Sequence, residues 1–122
     1  MPYTVAAKDK MLTALRADID AISIHTADPS TTGTNEVTGG SPAYARVAVT
    51  VADWGAASAT NPGEVLLNND KAFNGPAAAN ALFFGLWDDT VFLGGGAITG
   101  DTVFNAEGDF VLKAGTKFDL NA

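Results

Sequence analysis

The sequence predicts an all-β domain, an antiparallel β-sandwich or jelly-roll-like fold with one N-terminal α-helix. Three observations carry that prediction. Past residue 60, short segments rich in β-branched and aromatic residues recur about every ten residues between Gly-containing turns, the pattern of a sandwich or small barrel. The densest apolar stretch, Ala81 to Ile98, gathers Phe83, Phe84, Trp87 and Phe92 around Asp88-Asp89-Thr90, which reads as a central hairpin. Only the N-terminal segment shows helical spacing.

That segment, residues 5–20, places Ala7, Met11, Leu15 and Ile19 at helical intervals behind Thr4, a suitable N-cap, with Lys8, Asp9, Arg16 and Asp20 mostly on other faces. Ala21 to Thr26 then alternates Ile22 and Ile24 against Ser23 and His25, as a half-buried strand does. Residues 27–43 are polar and hold Pro29, Gly33, Gly39 and Gly40, a long surface loop. Tyr44 to Val51 alternates again and predicts a strand that ends at Asp53-Trp54-Gly55. Ala56 to Gly63 is a small-residue loop, Glu64 to Asn68 a short strand, and Ala72-Phe73 a strand end or edge. In the hairpin, Leu82 to Trp87 forms the outgoing strand and Val91 to Leu93 begins the return. Gly94-Gly95-Gly96 marks a β-bulge or the close approach of another backbone. Further strands are expected at 97–99, 102–104, 109–112 and 116–120, so that residues 1–122 make one β-rich domain.

Composition excludes several functions. The chain has no cysteine, hence no disulfide framework, thiolate metal site or cysteine nucleophile. Seven Lys plus Arg against fourteen Asp plus Glu give a net charge of −7, the wrong sign for direct nucleic-acid or anionic-membrane binding. No run approaches the ~20 apolar residues of a membrane span. His25, with Asp28 nearby, lacks a Gly-x-Ser-x-Gly elbow or further ligands and is expected to play a polar structural role near the long loop. Asp88 and Asp89, with Asp70 or Asp101, lack the spacing of a calcium loop and read as turn chemistry. No catalytic residue, metal or cofactor is expected.

The candidate structural and interface positions are Met11, Leu15, Glu36, Arg46, Trp54, Phe83, Phe84, Trp87 and Phe92. Glu36 and Arg46 flank the long loop with the geometry of a bidentate pair, serving to tie the loop down or to bridge subunits. Trp54 beside Asp53, with Tyr44, could offer the exposed aromatic platform that a glycan-binding module needs.

Ile22-Ser-Ile-His-Thr-Ala-Asp-Pro29, Gly33 to Arg46 with its Asn-Glu-Val and Tyr-Ala-Arg segments, Gly85-Leu-Trp-Asp88 and Phe92-Leu-Gly-Gly-Gly96 resemble small virion proteins of tailed phages that infect actinobacteria and relatives. Described members include minor tail, tail-fibre-like, head-fibre and capsid decoration proteins. The resemblance implies a virion structural protein, assembled in the host cytoplasm, and not an enzyme. Because the family-like stretch fills the chain, the favoured expectation is a shell-decorating homo-oligomer, a trimer, whose partner is the major capsid protein. The alternatives are a minor tail or fibre-like subunit among tail proteins, and the glycan-binding module.

Overall fold

The computed structural model describes residues 3–56 and 64–119. Helix α1 (Val5–Asp18) begins at Thr4, whose side chain accepts a hydrogen bond from the Ala7 amide at 3.1 Å and so satisfies one orphan donor of the first turn. Among the described residues eight strands follow: β1 (Ala21–His25), β2 (Val47–Ala48), β3 (Glu64–Leu66), β4 (Lys71–Asn74), β5 (Phe83–Asp88), β6 (Val91–Ala97), β7 (Asp109–Leu112) and β8 (Lys117–Asp119). All pairings among them are antiparallel. The fold is the all-β architecture with a single N-terminal helix that the sequence predicts.

The sheets are a four-stranded one in the order β2-β1-β5-β6 and two ribbons, β3-β8 and β4-β7. Period-two alternation sends Ile22 and Ile24 of β1, with their partners Leu86 and Phe84 of β5, to one face. There they join one core cluster with Val65 and Phe118 of the first ribbon, Phe73, Phe110 and Leu112 of the second, and Leu12 and Ile19 from the helix segment. The β5–β6 hairpin turns at Asp89-Thr90 and slips register between Leu86 and Trp87, so the bulge expected near the triple glycine is present.

Several elements differ from expectation. The helix buries Leu12, with Leu15 packed at the margin of the core and Met11 only half-buried, so the inward face is rotated by one residue from the Met11-centred stripe. The strand expected over 44–51 shrinks to Val47–Ala48, because Val49 turns its amide to the Asp20 carbonyl and Val51–Asp53 winds into a 3-10 turn. Residues 102–104 contribute only an isolated bridge, Asn80 to Val103, although Phe104 is buried. The loop expected at 56–63 falls almost entirely outside the described residues, as does Leu120 at the end of the last expected strand.

The long loop is also more structured than its composition suggests. His25 pairs with Glu36, and the Val37 amide donates to the Ile24 carbonyl, so the chain returns along the free edge of β1 and buries Val37 in the core. Between them, residues 26–35 form a compact turn. Ser30 N–H donates to Asp28 Oδ1, the Asn35 side-chain amide to the Asp28 carbonyl, and the Gly33 and Thr34 amides to the Pro29 carbonyl.

Candidate functional site

The second face of the four-stranded sheet carries Ser23 and His25 on β1, Gly85 and Trp87 on β5, and Phe92 on β6. Alternation alone would give this face to solvent. Instead Ser23 and His25 are both 0 % exposed and Trp87 is 7 % exposed, because the 26–35 turn and the Arg46 side chain lie over them. The half-buried strand expected at 21–26 is thus buried on both faces. Gly33 fits against the Trp87 ring so closely that a Cβ would come within 2.8 Å of it.

The polar groups beneath this cover are joined in one chain. The Trp87 indole N–H donates to Ser23 Oγ at 2.8 Å, Ser23 Oγ lies 2.6 Å from His25 Nε2, and His25 Nδ1 lies 2.7 Å from the Thr34 carbonyl. A carbonyl only accepts, so Nδ1 carries the proton of the neutral ring, Nε2 accepts, and the Ser23 hydroxyl donates. Burial disfavours the charged ring and outweighs the Thr34 carbonyl and Glu36, which favour it, while Arg46 opposes it; the His25 pKa is lowered. Ser23 and His25 stand as a nucleophile and base would, with a backbone carbonyl in the orienting position. Both side chains are 0 % exposed, sealed between the sheet and the 26–35 turn.

Above the chain, Glu36 and Arg46 meet as the bidentate pair the sequence suggests. Arg46 Nε donates to Glu36 Oε2 and Nη2 to Oε1, each at 3.0 Å. The guanidinium also lies 3.5 Å from the centroid of the Trp87 ring, and so serves both a carboxylate and an aromatic face. Tyr44 completes the clasp: its hydroxyl donates to Glu36 Oε2 at 2.8 Å and accepts from the Ile24 amide at 2.9 Å. That hydroxyl fills the gap on the β1 edge between the stretch at Glu36-Val37 and β2. Burial pushes the Glu36 carboxyl up, but hydrogen bonds from Arg46 and Tyr44 overcome it and hold the group below its usual range. Burial, then the neighbouring Glu36 charge, pushes the Tyr44 hydroxyl well up, so it stays a donor.

Arg46→Ala is expected to destabilise the protein by about 1–3 kcal/mol, combining a half-exposed ion pair with a partly desolvated cation–π contact. Arg46→Lys should recover less than half of that loss, since an ammonium cannot fork across the carboxylate. Denaturant melts decide it, and a loss within ~0.3 kcal/mol for Arg46→Ala would reduce the clasp to surface decoration.

The other sequence candidates divide by location. Phe84 is in the main core, while Phe83 and Phe92 are half-buried at the second face. Trp54 is 3 % exposed, set edge-on to Phe118 with ring centroids 5.1 Å apart. Its backbone carbonyl and that of Gly55 accept from Arg16 Nη1 at 2.9 and 3.0 Å. Trp54 therefore forms no solvent-facing platform, and the glycan reading loses its main residue. Asp53 beside it faces inward to Lys71 at 2.7 Å, which, with the Thr50 amide, holds its carboxyl below the usual range. Tyr44 is committed to the clasp and stacked near Phe73.

The Asp89 backbone amide donates to the Asp20 carboxylate and Asp70 Oδ1 accepts from the Ala114 amide, both contacts between segments distant in sequence. Among the described residues, no group of three or more His, Cys, Asp or Glu side chains could hold a metal ion. Chelator is expected to leave the melting temperature unchanged, since a ion bound only by the native state would stabilise it by mass action. A fall of several degrees, reversed by calcium, would overturn that expectation. Sequence reasoning missed Leu12 and Ser23; a Ser two residues before His25 on one strand was the available signal for the buried pair.

No helix among the described residues is long and apolar enough to cross a membrane. No curated protein and no solved structure matches the chain. Residues 20–109, which include the whole second face with its clasp and hydrogen-bonded chain, match the family model described as Podophage GP4 fiber I protein gp80. With most of its length matched, the chain belongs to this family of phage structural proteins.

Proposed function

We propose that this protein is a structural subunit of a virion fibre, acting through assembly and without a chemical step. The observation that carries the reading is the family description, which names a fiber protein and spans residues 20–109. It moves the balance from the shell-decorating subunit favoured on sequence toward the fibre-like alternative. The site supports the same reading: the one serine–histidine pair of the sheet is sealed, and the clasp above it fixes a loop to a sheet. In this role the partners are further copies of the chain, closing as a trimer, and neighbouring virion proteins. Closed symmetry would also cover sheet edges that a short-stranded fold otherwise leaves available for wrong pairing.

Copy number and location test the proposal together. Quantitative mass spectrometry of purified virions, with gold-labelled antibody in electron micrographs, should find a small number of copies on an appendage. Light scattering of the isolated protein should give the mass of three chains. Hundreds of copies spread over the head would restore the decoration reading, with the major capsid protein as partner.

A further inference from the structure

The hydrogen-bonded chain beneath the 26–35 turn has one permitted direction, and that direction depends on His25 being neutral. Once protonated, His25 would donate from both nitrogens. Thr34 could still accept at Nδ1, but at Nε2 the donor would meet Ser23 Oγ, which already accepts from the Trp87 indole. The Ser23 hydroxyl would then have to accept twice and find a new acceptor for its own proton in a place with 0 % exposure. An unmet buried donor is destabilising, so the added proton favours any conformation that lets water reach this chain.

What can open is set by how the turn is held. Its internal bonds, from Ser30 to Asp28, from Asn35 to Asp28 and from Gly33 and Thr34 to Pro29, do not involve His25. The bond from His25 to Thr34 and the packing of Gly33 on Trp87 and Phe92 hold it against the sheet, and Thr26 pairs with Asn35 at its base. The turn can therefore swing as a preformed unit about residues 26 and 35. The main core, on the opposite face of the sheet, takes no part.

We propose that the Trp87–Ser23–His25–Thr34 chain is an acid-sensitive latch, which on protonation of His25 releases residues 26–35 from the Trp87 and Phe92 rings. The charged groups facing His25 are Glu36 and Arg46, of opposite sign and bonded to each other. Hydrogen bonds from Arg46 and Tyr44 overcome burial and hold the Glu36 carboxyl below its usual range, and Glu36→Gln separates its contribution from that of His25. The sign follows from linkage. The latched state holds His25 neutral with a lowered pKa, so the opened state binds more protons. The latch is at full strength above the ordinary imidazole range of about 6.5. It weakens as pH falls through that value, the opening constant rising up to about ten-fold per pH unit until the latched-state pKa is reached.

Nuclear magnetic resonance of the full-length protein between pH 7.5 and 4.5 tests this directly. The two indole N–H signals are assigned with Trp87→Phe. The Trp87 indole N–H is expected to exchange faster as pH falls below about 6.5, by up to about ten-fold per pH unit after correction for intrinsic rates, while the Trp54 signal stays protected. The rise should level off at the pH where the His25 ring titrates in the same spectra, a comparison that needs no variant. In His25→Asn, which keeps a donor toward Thr34 but does not titrate, the step should vanish. Trp87 protection that persists to pH 4.5, loss of both indole signals together, or a step that survives in His25→Asn and disappears in Glu36→Gln would each overturn the latch.

Discussion

Trp87→Ala is expected to cost about 3–5 kcal/mol, the range for removing a large buried aromatic side chain. Trp87 lies apart from the main cluster, yet the residue is 7 % exposed and its ring is held by four neighbours. Phe92 meets it edge-on with centroids 5.1 Å apart, the Arg46 guanidinium covers one face, Gly33 touches its rim, and the indole N–H donates to Ser23. Truncation opens a cavity between sheet and loop and leaves the Ser23 hydroxyl without its donor and Arg46 without the ring beneath it. Trp87→Phe keeps much of the apolar volume and loses the donor, so its cost should fall near 1–2 kcal/mol. Urea melts of the isolated protein give both numbers. A change within ~0.5 kcal/mol for Trp87→Ala would remove the ring from the fold's support and reassign it to an interface.

The hairpin was legible because its signals are local: aromatic and β-branched residues adjoin an Asp-Asp-Thr turn and a glycine run. The Glu36–Arg46 pair was legible for a related reason, since a carboxylate in the loop and an arginine in the strand after it are near in sequence and matched in charge and shape; their contact within one chain came from the fold. What escaped was set by distant parts of the chain. Trp54, next to Asp53 and Gly55, reads as a loop residue, and it is drawn into the core by distant segments, among them Leu67 across a bridge and Phe118 edge-on. Ser23 and His25 alternate with isoleucine as exposed polar residues would, and they are buried because a non-periodic loop covers that face. The over-long strand at 44–51 shows the opposite error. Alternating small apolar residues satisfied a strand pattern, but the strand pairing with β1 covers just Val47 and Ala48. The helix face slipped for a similar reason, since Met11 and Leu12 are adjacent and spacing alone does not choose between them.

The same cover predicts a second large effect, at a position with no side chain. Gly85 lies opposite Ser23 across the β1–β5 pair. A Cβ there would collide with Ser23 Oγ and stand 2.7 Å from His25 Nε2 and 2.9 Å from Phe92 Cε1. Neither strand can retreat, because the other face of each packs in the main core through Ile24 and Phe84. Gly85→Ala must therefore displace Ser23 and His25. Overpacking costs about 1–3 kcal/mol, and breaking a buried hydrogen-bonded chain adds about 1–3 kcal/mol, for a combined loss of about 2–6 kcal/mol. Adding Ser23→Ala removes the most crowded atom while itself sacrificing the same hydrogen bonds. The two substitutions should therefore be less than additive by about 0.5–3 kcal/mol, as expected for residues sharing one contact. A double-mutant cycle in urea measures that coupling. Full additivity would mean that the added methyl group is accommodated without touching Ser23, and Gly85 would then owe its place to backbone geometry alone.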